Sequence, residues 1–269
     1  DDLFILYLQD GADSLYASFT HKLTQRWEVE DEGEVADLLN IEISRQSASV
    51  TLRQTAYIDK LTKEWFPEGP PAHVQLNSVP HPENIRELVI HATGEGAAPA
   101  DPTLVNKYRK LVGALLYAAT STRPDIAYAT SMLCRAMSKP TDELLAAALR
   151  VLAYLSRHRH IGLRYTPCAR PLEGFADADW AVRHSQSGFV FQLGRAAVSW
   201  GSKKQVSVAL STCEAEIMAA SEAAKEAIHL RGLYNELSRG KSEPTRLHLD
   251  CKAAIDTAYN PEHHSKLKH

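Results

Sequence analysis

The spacing of apolar residues over positions 1–66 changes from one segment to the next and predicts a strand, a helix, a hairpin and a second helix. Residues 3–8 form a continuous apolar run that is typical of a buried strand. Residues 35–44 and 48–54 are predicted to be two strands joined by a polar turn, and residues 55–66 an amphipathic helix. The first helix is predicted from apolar residues at four-residue spacing: Leu15, Phe19, Leu23 and Trp27.

A proline-rich stretch, residues 67–103, interrupts this pattern. It shows little periodicity and therefore predicts a long surface loop or linker. The chain that follows, residues 104–161, is predicted to form three helices with a packed apolar core, the last of them capped by Thr141. At the start of the second of these helices, Arg123 and Asp125 are predicted to form an ion pair.

From residue 162 onward the apolar runs shorten to the length of strands. Four short strands are predicted as an antiparallel meander over residues 162–204. A long helix over residues 211–240 follows, with a serine or threonine cap and acidic residues in its first turn. A strand at residues 245–251 and a short helix at residues 252–260 complete a βββαβα order. The whole chain is therefore predicted to have an α+β fold.

The composition is that of a globular protein, with 44% hydrophobic and 23% charged residues among 269. No apolar run approaches the ~20 residues of a membrane-spanning helix, and the acidic N-terminus differs from a signal peptide. The four cysteines are scattered without a C-x-x-C pair, which argues against structural zinc and favours free thiols in a reducing compartment. The net charge of −3 argues weakly against a nucleic-acid partner, because carboxylate-rich sites lower net charge while basic residues still cluster locally.

Three acidic residues stand where a metal ion would find oxygen ligands. Asp177 lies in a predicted strand, Glu216 one turn into the long helix, and Asp250 at the end of a later strand. Hard divalent cations prefer such carboxylate clusters, and two of them close together support phosphodiester hydrolysis. The alternative is that these are solvated surface charges, with Glu214 and Glu216 simply favouring the start of the helix. Spacing alone leaves both interpretations open.

Five segments of the C-terminal part carry a family resemblance: GFADADWA, SGFVFQLG, VSWGSKKQ, VALSTCEAEIMAASEAAKEAIHLRGL and LHLDCKAAI. In this order, they make residues 162–269 resemble the ribonuclease H domain of copia-type LTR retrotransposon Pol polyproteins. The resemblance implies that Asp177, Glu216 and Asp250 are catalytic metal ligands. Together they would hold two Mg²⁺ (or Mn²⁺) ions for hydrolysis of the RNA strand of RNA–DNA hybrids. Asp179 does not match a catalytic position of the family.

The N-terminal half also resembles this family. The string LLNIEISRQSASVTLRQTAYIDKLTKEWF is similar to the part of copia-type reverse transcriptases that follows a Y-x-D-D turn. Asp1 and Asp2 match the end of that turn, which implies that they are metal ligands of a polymerase site. The string YRKLVGALLYAATSTRPDIAYATSMLCRAMSKPT is similar to the helical segment between polymerase and ribonuclease H. The expected domains are the end of a reverse-transcriptase palm (1–66), a Pro-rich linker (67–103), a helical thumb or connection segment (104–161) and a ribonuclease H-like domain of mixed sheet and packed helices (162–269).

The resemblance further implies an enzyme that is a ribonuclease H and, in the intact protein, an RNA-directed DNA polymerase. Its expected partners are an RNA–DNA hybrid, template RNA, nascent DNA and the rest of the Pol polyprotein, in cytoplasmic virus-like particles or the nucleus. Lys203 and Lys204 are expected to contact the nucleic-acid backbone. The first polymerase aspartate and a fourth ribonuclease H carboxylate are expected beyond the two ends of this chain, so the activity of the chain by itself stays open. The alternative is a degenerate or domesticated module that binds hybrids without cleaving them.

Overall fold

The computed structural model describes residues 5, 13–30, 33–71, 79–96, 99–168, 171–181, 185–238 and 243–260. The chain divides into two compact units, residues 1–36 and 37–269. The first unit contains helix α1 (Asp13–Arg26), which confirms the helix predicted from the four-residue spacing. Asp1, Asp2 and all of the predicted strand at residues 3–8 except residue 5 lie outside the described residues.

The described part of the second unit contains eight strands and seven α-helices, which confirms the α+β class. The strands are β1 (Asp37–Leu38), β2 (Ile41–Gln46), β3 (Ser49–Arg53), β4 (Leu163–Tyr165), β5 (Glu173–Asp179), β6 (Gln186–Leu193), β7 (Ala196–Lys204) and β8 (Arg246–His248). The helices are α2 (Thr55–Trp65), α3 (Ile85–Thr93), α4 (Pro102–Ser121), α5 (Ala127–Cys134), α6 (Asp142–Arg157), α7 (Thr212–Ser238) and α8 (Lys252–Tyr259), with a 3₁₀-helix at Pro124–Ile126. No helix in the described part of the chain is both long and apolar enough to cross a membrane.

The strands form two sheets of four. The first sheet has the order β1-β2-β3-β4 and is antiparallel throughout. The second has the order β7-β6-β5-β8, in which β8 runs parallel to β5 and the other neighbours are antiparallel. From β5 onward the elements follow the predicted order, three strands, a helix, a strand and a helix.

Strand β4 was expected in the meander with β5, β6 and β7, and this expectation is wrong. It pairs with β3 in the first sheet instead. Gly162 immediately precedes β4, and a Cβ atom at this position would clash with the carbonyl oxygen of Leu52. The absence of a side chain therefore permits the close approach of the two backbones.

Residues 35–44, predicted as one strand, form two short strands around a tight turn. Leu39 and Asn40 both have positive φ angles, 54° and 61°. Two successive left-handed residues make the turn that matches the twist of a two-residue hairpin, here between β1 and β2. The hydroxyl of Tyr117 on α4 donates a hydrogen bond to the carbonyl oxygen of Leu39. The sequence pattern conceals this turn because an apolar leucine occupies a position that usually holds asparagine, aspartate or glycine.

The stretch 67–103, expected to be a loop or linker, contains helix α3. Its residues Ile85, Val89 and Ala92 are buried and lie on one face of the helix. They belong to the same apolar core as residues of α2, α4, α5 and α6. A helix of only nine residues among several prolines gives too few apolar repeats to stand out in the sequence.

Arg123 lies at the centre of the helical part, and its predicted ion pair with Asp125 is confirmed. Its side chain is fully buried and donates from Nε and Nη2 to the two carboxylate oxygens of Asp125, at 2.9 and 2.6 Å. A third bond, of 3.0 Å, runs from Nη1 to the carbonyl oxygen of His158. Because the guanidinium thus joins the 3₁₀-helix to the end of α6, this buried charge has a structural role.

The second sheet is covered on both faces. On one face, Phe191 and Ala176 pack against Ala223 of α7 in a small apolar cluster. The indole nitrogen of Trp200, on the opposite face, donates a hydrogen bond of 2.7 Å to the carbonyl oxygen of Ala119 on α4. The helical core and the second sheet are therefore joined directly.

Candidate metal centre

Three carboxylates from separate elements meet at one end of the second sheet. Each of Asp177, Glu216 and Asp250 offers an oxygen, and these three atoms lie within 4.8 Å of one another. Asp177 is on β5, Glu216 is one turn into α7, and Asp250 lies two residues beyond β8. The structure therefore brings together the three acids that the sequence singles out.

Parallel pairing places two of these carboxylates side by side. In the register of β5 and β8, Phe175 is opposite His248. Asp177 and Asp250 each follow two residues later, and both chains run in the same direction, so the two side chains reach the same edge of the sheet. This convergence depends on β8 lying next to β5, which the sequence pattern alone does not establish.

The third carboxylate is positioned by the start of α7. The Ser211 hydroxyl accepts a hydrogen bond from the amide of Glu214 at 3.2 Å, and the Glu214 carboxylate accepts one from the amide of Leu210 at 2.7 Å. This reciprocal capping fixes where the helix begins. Glu214 is therefore a capping residue, as one of the two interpretations held, whereas Glu216 faces the cluster.

Glu216 is buried beside two other acids, and this environment opposes its charge. Burial raises the pKa of Glu216 to about 7, and the charges of Asp177 and Asp250 contribute further, outweighing a backbone hydrogen bond from Ala178. Its Oε2 atom is buried and has no hydrogen-bond partner among the described residues. In the described part of the chain, no lysine or arginine forms an ion pair with any of the three acids.

A divalent cation fits this arrangement. Carboxylate oxygens are the ligands that Mg²⁺ and Mn²⁺ prefer, and a cation would remove the mutual repulsion of the three acids. It would also provide the missing partner of Glu216 Oε2. The acidic triad could therefore hold a metal ion.

Substitution of Glu216 by glutamine is expected to stabilise the metal-free chain at high pH. The folded-state pKa of about 7 lies above the ordinary value of 4.5. The protonated carboxyl therefore contributes stability that is present below pH 4.5 and is lost as the pH rises through 7. We expect the variant to be about 2–3 kcal/mol more stable than the wild type at pH 8.5 and little different at pH 4.5. Urea unfolding in EDTA at both pH values measures this, and equal pH dependence in the two proteins would contradict it.

The other predicted site residues fall in different places. Asp179 lies outside the cluster and pairs with Arg86 of α3 at 2.6 Å. Lys203 and Lys204 are the last residues of β7, and both are exposed. Neighbouring residues of a strand face opposite sides of the sheet, so the two lysines point apart. Lys204 pairs with Gln186, which pairs with Asp179, so Lys204 lies on the same face of the sheet as Asp177. Lys203 lies on the opposite face, which α7 covers.

No local sequence signal predicts that two arginines lie near the metal centre. Arg86 belongs to the stretch expected to be a loop, and Arg135 directly follows α5. Arg135 donates a hydrogen bond to Gln186 at the start of β6. A cavity of about 520 Å³ opens beside them, between the sheet and the helices, with Tyr128, Phe175, Asp177, Gln186 and Trp200 in its lining. Only the tertiary fold brings these residues close to the three acids.

Comparison with known proteins gives relatives along the whole chain. The chain is 31% identical, over its full length, to "Retrovirus-related Pol polyprotein from transposon TNT 1-94" of Nicotiana tabacum, covering 20% of that protein. It is 33% identical, over 92% of its length, to "Retrovirus-related Pol polyprotein from transposon RE1" of Arabidopsis thaliana, covering 16% of that protein. Over 46% of its length it is 44% identical to "Secreted RxLR effector protein 161" of Plasmopara viticola, covering 90% of that protein. No protein-family model matches the chain, and no solved structure matches it.

The fold and the site together define an α+β protein whose acidic triad is suited to a divalent cation. The Pol polyproteins that match all or nearly all of this chain make the assignment specific, and the chain belongs to the retrovirus-related Pol polyproteins of copia-type transposons. It spans about a fifth or less of the length of the Pol polyproteins described above.

Proposed function

We propose that the acidic triad is the catalytic centre of a ribonuclease H, which hydrolyses the RNA strand of RNA–DNA hybrids with the help of divalent cations. The observation that carries this proposal is the meeting of Asp177, Glu216 and Asp250, from a strand, a helix and a strand end, within a βββαβα succession. The similarity to retrovirus-related Pol polyproteins along the chain supports it.

The residues of the triad would have distinct tasks in this reaction. Asp177, Glu216 and Asp250 would hold the Mg²⁺ or Mn²⁺ ions. When bound, these ions stabilise the negative charge that develops on the phosphate and make a water molecule more acidic. Glu216 would carry a proton on its carboxyl group near neutral pH before metal binding and release it when the cation binds, since a carboxylate ligates a metal in its ionised form. Asp177 and Asp250, which are both exposed, would hold the ions from the solvent side of the cluster.

The remainder of the chain would belong to the polymerase. We propose that residues 1–66 are the end of a reverse-transcriptase palm, with Asp1 and Asp2 in its active-site turn, and that residues 104–161 connect it to the ribonuclease H part. The similarity to Pol polyproteins over the full length of the chain supports this organisation. RNA-directed DNA synthesis would then be a property of the intact polyprotein, with template RNA and nascent DNA as partners.

The substrate panel that tests the proposed function contains an RNA–DNA hybrid, a double-stranded RNA and a double-stranded DNA of one sequence. With Mg²⁺ or Mn²⁺ we expect cleavage of the RNA strand of the hybrid alone, and none in EDTA, because the A-form shape and the 2′-hydroxyl identify the RNA strand. Each strand is labelled at its end and the products are resolved on denaturing gels. Tight binding of the hybrid without cleavage in either metal, both by this chain and by the Pol polyprotein that contains it, would favour a non-catalytic hybrid-binding module instead.

A further inference from the structure

One end of the second sheet presents three residues in a row across three strands. Asp179 of β5 is level with Gln186 of β6, and Gln186 is level with Lys204 of β7. Residues paired directly across a sheet point to the same face, which here is also the face of Asp177. Asp179 follows Asp177 by two residues, so the first position of the row lies about 7 Å along β5 from this ligand of the metal centre. That distance is comparable to the separation of adjacent phosphates along one nucleic-acid strand.

Each position of this row carries or contacts a cationic side chain. Arg86 of α3 donates from Nη1 to Asp179 at 2.6 Å. Arg135 donates from Nη2 to Gln186, and Lys204 is itself the third position. We call Arg86, Arg135 and Lys204 the basic row. Asp179 is the carboxylate that pairs with Arg86 in this row, and the three cations lie next to a centre that is negative.

The hydrogen bonding of Arg135 is incomplete. Its Nε atom is buried and has no hydrogen-bond partner among the described residues. The side-chain oxygen of Gln186 accepts the hydrogen bond from Nη2 of Arg135. The side-chain nitrogen of Gln186 donates to the hydroxyls of Ser131 and Ser202, at 2.9 and 2.7 Å. Burial, followed by the nearby charge of Arg86, lowers the pKa of Arg135. An anion beside the two guanidinium groups would complete the hydrogen bonding of Arg135 and offset the repulsion between the charges of Arg86 and Arg135.

We propose that the basic row binds backbone phosphates of the nucleic acid whose scissile phosphate lies at the metal centre. Cations that contact the phosphate backbone position a duplex without reading its sequence, which suits an enzyme that acts on hybrids of any sequence. This inference rests on the proposed function and adds the substrate-positioning residues to it. Arg86 and Arg135 come from α3 and from the end of α5, so the substrate site is built jointly by the helical part and the second sheet.

The test measures binding of a labelled RNA–DNA hybrid by fluorescence anisotropy in EDTA, where no cleavage occurs. The variants are Arg86→Gln and Lys204→Gln. Lys225→Gln is the matched control, since Lys225 is an exposed lysine paired with Glu222 on α7, which packs on the opposite face of the sheet. We expect each row variant to weaken binding roughly fivefold to tenfold at about 0.1 M salt. The slope of log Kd against log salt concentration should also decrease by about one, while the control changes neither.

The possible outcomes separate the basic row from the proposed function. Suppose that the wild type binds the hybrid. If both row variants then bind it as tightly as the wild type, or if the control variant is weakened as much as they are, the basic row is overturned and the proposed function stands. A wild type that does not bind the hybrid even at low salt would overturn the proposed function and the basic row with it. Thermal unfolding of each variant shows that the fold is intact, and a loss of affinity with an unchanged salt slope would also count against phosphate contact.

Discussion

Replacement of Asp177 by asparagine is expected to reduce metal-dependent cleavage of an RNA–DNA hybrid at least about a thousandfold. The substitution keeps the size of the side chain but removes one negative charge from the oxygen cluster that would hold the cations. A cation contributes several kcal/mol of charge stabilisation, and about 4 kcal/mol corresponds to a thousandfold change in rate. Single-turnover cleavage of the labelled hybrid in saturating Mg²⁺ and in Mn²⁺ measures the effect.

Asp256→Asn is the matched control for this experiment. Asp256 is an exposed aspartate on α8, six residues after Asp250, and it lies outside the triad. Its substitution changes the net charge of the chain by the same amount but should leave the cleavage rate within about twofold, since Asp256 is exposed to screening by solvent and contributes no oxygen to the triad. An Asp177→Asn variant that keeps more than a tenth of wild-type activity would contradict the assigned role of Asp177.

Replacement of Arg123 by alanine is expected to lower the free energy of unfolding by about 3 kcal/mol. The guanidinium is fully buried, and it donates two hydrogen bonds to the carboxylate of Asp125 and one to the carbonyl oxygen of His158. Loss of the guanidinium leaves a cavity, and it removes the donor from both the Asp125 carboxylate and the His158 carbonyl. The Asp125 carboxylate is partly shielded from water, so solvent replaces the lost bonds only in part. The hydroxyl of Tyr154 still donates to Asp125 at 3.0 Å and limits the loss. Urea unfolding followed by circular dichroism gives the change.

A double-mutant cycle identifies the ion pair as the source of this loss. The double variant Arg123→Ala/Asp125→Ala should be less destabilised than the sum of the two single variants, because removal of both charges avoids a partly shielded carboxylate that has lost its guanidinium partner. Strict additivity would show that the loss comes from packing alone. Arg123→Lys should recover little, since an ammonium group cannot make the two parallel bonds or reach His158 at the same time.

Local sequence signals predict the elements whose stability is largely local. The helices α1, α2, α4 and α6 are marked by apolar repeats, and α7 is marked by its cap and its acidic first turn. The predicted cap of α6 forms as expected, with a bond of 3.3 Å from the amide of Leu144 to the hydroxyl of Thr141. The β5–β6–β7 meander is also predicted, because each hairpin joins neighbours in sequence. These features require only interactions between residues that are close along the chain.

The features that the sequence does not predict depend on distant parts of the chain. Strand β4 pairs with β3, which precedes it by more than a hundred residues, and no local pattern marks that pairing. Helix α3 is stabilised by burial in the common core and not by a strong local signal. Its proline-rich surroundings therefore predict a loop. In the site, residue type and family resemblance single out the three acids. The burial of Glu216 and the approach of Arg86 and Arg135 arise only from packing.

The most direct test of the account is the location of Mn²⁺ in crystals of this protein by anomalous diffraction. We expect an anomalous peak in contact with carboxylate oxygens of Asp177, Glu216 and Asp250, and its loss in crystals of Asp177→Asn. Mn²⁺ has the same ligand preference as Mg²⁺, and its anomalous signal distinguishes it from water. Crystals saturated with Mn²⁺ that show no peak at these three carboxylates would contradict the assignment of a metal-dependent catalytic centre.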